Sequence, residues 1–198
     1  VNVIDNDNNQ GLSIIPNPDV IGIALGLIPC ERTLVYWPDT RLSKQCNKVV
    51  SFNPSTDQII LDLIYTMRKN NGIGIAAPQL GSMLNIIIIE CAMDYSNPVV
   101  LINPKILEID QNMEYRMTEG CLSVPGYYEE RIRSQRVVVE YVTPKNVKKT
   151  KEFQGMAAFV LQHEMEHLEG KVFVDDLSKL KKDRVLTKMK KTLKRVKK

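Results

Sequence analysis

Residues 156–170 read Met-Ala-Ala-Phe-Val-Leu-Gln-His-Glu-Met-Glu-His-Leu-Glu-Gly, and the fold and chemistry of the chain turn on this run. It is free of proline and opens on apolar residues. Gly170 stops it, so a helix is predicted from about Met156 to Glu169. Its two histidines, His163 and His167, are the only two in 198 residues. Spaced i and i+4, they project from one helix face about one turn apart, near enough to share a metal ion. Glu164, beside the first of them, can reach a water next to such an ion. The same run on a surface helix would be no more than a solvated charged face. Met156, Phe159 and Val160 instead set this helix against a core, where unpaired imidazoles are costly.

A catalytic site of the zinc type needs three protein ligands and an open position. The stretch 163–173 imitates a three-histidine metalloprotease pattern, but Phe173 stands where its last histidine would be. Asp175 and Asp176 lie just past the helix end, with little chain to swing them back. A cysteine remains, and Cys121 stands out. It lies in Glu119-Gly120-Cys121-Leu122-Ser123, between strand candidates, where Gly120 permits close approach. Alone it would be a buried inert thiol; beside a two-histidine site lacking a ligand it becomes the third.

Upstream, Ser55 to Asn70 predicts a helix with Ser55 and Gln58 as a capping box. Its apolar stripe is Ile59, Ile60, Leu63, Ile64 and Met67. Asn70-Asn71-Gly72 ends it, with Gly72 as the C-terminal cap. Gly72-Ile73-Gly74-Ile75-Ala76-Ala77-Pro78-Gln79 follows, its small residues allowing another backbone to lie close and Pro78 fixing the direction of Gln79. A phosphate loop is a poor fit, because the required Lys and Ser/Thr are absent. Strands are expected at Ile86–Glu90, Val99–Ile102, Lys105–Asp110, Val137–Val142 and Val147–Phe153, parted by Asn97-Pro98, Asn103-Pro104 and Thr143-Pro144. Long helices do not alternate with these strands, so the class is α+β rather than a parallel βαβ sheet.

At 43% apolar and 25% charged residues, the chain has the make-up of one ordinary globular domain. The longest apolar stretch, Ile14 to Cys30, is interrupted by Pro16, Asn17, Pro18, Asp19 and Pro29, and no membrane span is expected. Residues 1–31 contain four acids and no Lys or Arg, which argues against a transit peptide. Residues 1–10, rich in Asn and Asp, are expected to be disordered; 11–32 are irregular. None of the four cysteines forms a CxxC pair, so they read as reduced and the protein as cytoplasmic. Charge is divided. Residues 177–198 hold eleven Lys or Arg against Asp183 alone, whereas 1–176 hold 16 basic and 22 acidic residues. The tail, from about Ser178 to the end, predicts a basic amphipathic helix with Leu186, Met189, Leu193 and Val196 on one stripe.

In order, residues 72–79, 119–123 and 162–167 resemble the three signature motifs of peptide deformylases, and Pro38-Asp39-Thr40-Arg41-Leu42 is similar to that family's opening motif. The resemblance runs from about Leu34 to the C-terminus. It implies a deformylase fold of antiparallel and mixed sheets around the HExxH helix, with an N-terminal extension at 1–32, a catalytic domain at 33–176 and the basic helix at 177–198. By the same resemblance Cys121, His163 and His167 bind one divalent ion, Fe2+ in vivo, with Zn2+, Ni2+ or Co2+ also accommodated. Glu164 carries the proton, while the Gln79 amide and the Leu122 N–H meet charge on the substrate oxygen. The substrate is an N-formylmethionyl peptide of a nascent chain. It would lie extended beside Gly72, Ile73 and Gly74 and against Glu119 and Gly120, its methionine in a pocket of Ile73, Met156, Phe159 and Val160. A monomer is expected, with the tail helix touching ribosomal RNA through phosphate contacts. This chain departs from the family at Glu166, where Asp is usual, and at Gly126-Tyr127-Tyr128, where many members carry Glu and then Arg. Two other classes compete. A metalloendopeptidase does not account for Cys121, and an RNA-binding protein with a structural metal has no use for an open coordination position.

Overall fold

The computed structural model describes residues 27–91 and 98–196. The expected disorder of 1–10 and most of the extension lie outside these residues, as does Asn97 of the expected Asn97-Pro98 turn.

Ile86-Ile87-Ile88-Ile89 explains the architecture. This strand, β2, is buried along its whole length. Its pleat sends Ile87 and Ile89 into one apolar cluster and Ile86 and Ile88 into another. Burial on both faces requires a cover on each side, and two helices supply it. Helix α1, Pro54–Lys69, brings Ile60, Leu63, Ile64 and Met67 to the second cluster. Helix α2, Gly155–Leu168, brings Ala158, Val160, Leu161 and Leu168 to the first. Each buried isoleucine contributes roughly 1.5–3 kcal/mol relative to exposure.

The sheet between the helices is antiparallel, in the order β1-β2-β3-β6-β7. Its other strands are β1 (Gly74–Ala76), β3 (Val99–Ile109), β6 (Arg136–Val142) and β7 (Lys148–Gln154). Strands β4 (Glu114–Cys121) and β5 (Val124–Ser134) form a separate hairpin. A last helix, α3 (Lys179–Val196), packs on β5. The expected α+β class is what the chain adopts.

Several details differ from the sequence reading. The cap of α1 is Asn53, whose side chain accepts from the Ser55 and Thr56 N–H groups with Pro54 in the first turn. Gln58 is thereby freed from a capping box and reaches the Ile28 carbonyl and Asp62. Asn71, at φ +52°, takes the left-handed position assigned to Gly72. Val99–Ile102 and Lys105–Asp110 are one strand, bulged where Asn103 (φ +52°) turns its side chain onto the backbone of Val49. On α3 the buried residues are Val185 and Met189, with Leu186 and Leu193 half-buried, so the apolar stripe begins one position earlier than expected. The Val196 side chain lies outside the described residues.

Candidate metal centre

Helix α2 lays its His163–His167 face toward the end of β4. The donor atoms of Cys121, His163 and His167 lie within 4.8 Å of one another, and all three residues are buried. Cys121 Sγ is 3.2 Å from His167 Nε2. Among the described residues His163 Nε2 is buried with no hydrogen-bond partner. An imidazole nitrogen left bare at 2% exposure, next to a thiol and a second imidazole, is a donor set prepared for a cation. Electrostatics agree. Burial alone would raise the Cys121 thiol, but the two imidazoles outweigh it and bring it down to about 5. The sulfur is therefore a thiolate at neutral pH, the form that ligates metals. Burial likewise disfavours charge on His163, yet Cys121 and Glu119 raise it to about 10.

A layer of charged groups holds these side chains. Glu119 Oε1 lies 3.3 Å from His163 Nδ1, which leaves Nε2 to face the site. Arg133, itself buried, grips Glu119 through Nε (2.9 Å) and Nη2 (3.0 Å) and Glu166 through Nη1 (2.8 Å) and Nη2 (2.9 Å). Burial would raise the Glu119 carboxyl, but His163 and Arg133 take it down to about 2. Glu166 gives both carboxylate oxygens to this clamp and lies outside the Cys121, His163 and His167 cluster.

Gln79 sits in a short 3₁₀ turn, Ala77–Leu80. Its Oε1 accepts from Ala76 N–H at 2.8 Å, which fixes the amide so that Nε2 faces Ser123 Oγ (3.2 Å) and Cys121 Sγ (3.5 Å). Leu122, also buried, follows Cys121 in the turn between β4 and β5. Glu164 is fully buried beside Gly74, where an added Cβ would lie 2.6 Å from its Oε1 and 2.5 Å from Val160 Cγ1. Only glycine lets α2 cross β1 this closely.

Two strand edges flank the centre. Among the described residues β1 pairs only with β2, and β4 only with β5. Gly72, Ile73 and Gly74 lead into the first open edge, while Glu119 and Gly120 lie on the second. The structure brings Ile73, Met156 and Val160 into one apolar cluster. Phe159 does not join it; its ring lies under Arg133, 5.5 Å from the guanidinium. The side chain of Glu119 is turned to Arg133 and His163 instead of to an open edge. Sequence reading missed Arg133 and Ser123. For Arg133 a signal existed in the alternation Glu129, Arg131, Arg133, which matches the inner face of β5.

An α+β protein with a buried Cys-His-His centre, a glutamate at its side and an amide donor facing the sulfur is of the metallo-hydrolase class. Comparison with known proteins gives the particular family. Residues 31–183 match the family model for polypeptide deformylase. The peptide deformylase of Neisseria meningitidis serogroup C is 40% identical over 158 residues, covering 80% of this chain and 93% of that protein. Among solved structures, a peptide deformylase from Legionella pneumophila superposes with a TM-score of 0.79 at 36% identity, over 85% of this chain and 98% of its own. That of Ehrlichia chaffeensis in complex with actinonin gives 0.77 at 37%, over 81% and 96%. The chain belongs to the polypeptide deformylase family. It is a metal-dependent hydrolase that removes the N-formyl group from nascent peptides.

Proposed function

We propose that Cys121, His163 and His167 hold the ion and that Glu164 is the proton carrier. When bound, a divalent ion would supply Lewis acidity to the water and carbonyl beside it. Glu164 takes the proton from the attacking water and returns it to the departing amine. The Gln79 amide and the Leu122 N–H donate to the carbonyl oxygen as it gains charge. What supports this reading most is the juxtaposition of the three ligating side chains with Gln79 Nε2, 3.5 Å from Cys121 Sγ. Fe2+ is the proposed native ion, since thiolate with imidazoles accepts several first-row metals and the choice is set by availability.

The peptide, an N-formylmethionyl chain, is proposed to lie extended between the open edges of β1 and β4. Main-chain hydrogen bonds there give affinity regardless of later sequence. Its methionine would enter the cluster of Ile73, Met156 and Val160. Residues 33–176 would form the catalytic unit and the protein would act as a cytoplasmic monomer. No described helix is long and apolar enough to cross a membrane. Anaerobically purified protein should release formate from formyl-Met peptides. Glu164→Ala should retain metal with turnover abolished; full turnover by that variant refutes the assignment.

We further propose that α3 contacts ribosomal RNA. Val185 and Met189 anchor it, while Lys181 pairs with Glu129 at 2.7 Å and Lys188 covers the Tyr127 ring. Lys190, Lys191 and Lys194 stay exposed on the helix. Truncation at Leu177 would uncover the buried pair, so charge reversal of these three lysines is the cleaner test. Ribosome binding should weaken and lose salt dependence while short-peptide turnover stays unchanged; undiminished binding ends the idea.

A further inference from the structure

Residues 28–37 form no regular element, yet buried groups hold them at one end and two active-site loops at the other. Asp62, 1% exposed within α1, accepts from the Cys30 N–H (3.0 Å), the Cys30 thiol (3.3 Å), Arg32 Nε (2.7 Å) and Gln58 Nε2 (2.8 Å). Thr66, one turn further, accepts from the Arg32 N–H at 2.9 Å. Past this anchor the segment crosses between cores. Leu34 packs on the α1 side and Val35 and Trp37 on the hairpin side. There the Val35 N–H donates to the Gln79 carbonyl (2.8 Å) and the Trp37 N–H to the Ser123 carbonyl (2.9 Å). Gln79 Nε2 in turn donates to Ser123 Oγ, so segment, Gln79 and Ser123 close a ring.

The two strand edges at the centre belong to different sheets, and among the described residues no ladder joins them. The spacing between Gln79 and the Leu122–Ser123 turn therefore needs another tie, and this strap is one. We infer that Asp62 is a positioning residue: by anchoring residues 28–37 it fixes the two proposed oxyanion donors relative to each other. The inference rests on the roles proposed above for Gln79 and Leu122. A donor misplaced by a fraction of an ångström loses much of its value in the transition state and little in substrate binding.

The test is Asp62→Ala with and without Gln79→Ala, read as formate release per bound metal and as amide exchange of the metal-free proteins. Asp62→Ala should bind metal stoichiometrically, keep KM within about twofold and lose about tenfold in kcat. Exchange should quicken at Val35, Trp37 and residues 76–80. In the Gln79→Ala background the same substitution should cost under about twofold, because the strap acts through that side chain. An unchanged kcat per metal, or the full loss repeated on top of Gln79→Ala, overturns the inference. Where Asp62→Ala does not accumulate folded, Arg32→Ala, at a side chain 52% exposed, removes one donor and is read the same way. A wild type that releases no formate overturns the deformylase roles instead, and the exchange comparison still decides whether Asp62 holds Gln79.

Discussion

Replacing Gly74 with alanine puts one carbon into occupied space. The new Cβ would lie 2.5 Å from Val160 Cγ1, 2.6 Å from Glu164 Oε1 and 3.1 Å from Glu164 Cγ. Carbon contacts closer than about 3.5 Å are repulsive, so carboxylate and methyl must retreat by roughly 0.5–1 Å. Val160 and Glu164 are one turn apart on a buried face of α2 and cannot both swing into solvent. Either the helix lifts from β1 or the carboxylate rotates away. Overpacking of this kind costs about 1–3 kcal/mol in stability. In the proton-carrier role proposed for Glu164, a displacement of about 1 Å costs on the order of 10²-fold in rate. Gly74→Ala should therefore bind one metal per chain, melt several degrees lower and lose ten- to a hundredfold in kcat (about 1.4–2.7 kcal/mol). Metal analysis, calorimetry and formate release at saturating substrate measure the three. A fully metallated variant with wild-type kcat would refute the reasoning, since Glu164 would then have no need of its place over Gly74.

Gln79→Ala should lower kcat by roughly 10²–10³-fold with KM nearly unchanged, as for loss of one preorganised donor, in steady-state kinetics. Arg133→Met leaves two carboxylates in or near the interior without their partner and should cost about 3–5 kcal/mol in urea unfolding. In metal-free protein it should also move acid unfolding to higher pH. Glu119, held at about 2 against an ordinary 4.5, contributes stability that is complete above pH 4.5 and is lost as pH falls toward 2. Without Arg133 that loss begins earlier, which Trp37 fluorescence would follow. Burial pushes the Cys46 and Cys91 thiols up to about 11 and 12, and the hydrogen bond to Asp62 raises that of exposed Cys30, so none of the three should alkylate quickly at pH 7 in mass spectra of the native protein, and Asp62→Ala should speed modification at Cys30 alone.

What the sequence made legible was whatever a hydrophobic period or a rare residue marks. The stripe of α1 and the apolar opening of α2 follow from spacing alone. The pair of histidines was conspicuous because no others exist. The β4–β5 hairpin was missed because it has no such period. Its inner face carries Glu119, Glu129, Arg131 and Arg133, and its outer face is solvated, so neither strand alternates apolar with polar. Ion pairs hold that face together, and pairing between distant charges leaves no local mark. The irregular strap was unreadable for the same reason, since its order comes from Asp62 and Thr66 some thirty residues downstream.

The hairpin's charge and the site's chemistry share one cause. In the proposed centre a thiolate and two imidazoles around a dication would leave about one net positive charge in a buried space. Glu119 offsets part of it from behind His163, and Arg133 keeps Glu119 ionised while tying it to Glu166 on the turn between the two histidines. His163, Glu119, Arg133 and Glu166 each touch an opposite charge along this series, so none of the four is buried alone. An apolar residue at position 119 would leave His163 Nδ1 without this partner and its tautomer undefined. The stability that β4 and β5 give up by burying charge instead of hydrocarbon goes into orienting His163, the ligand proposed above.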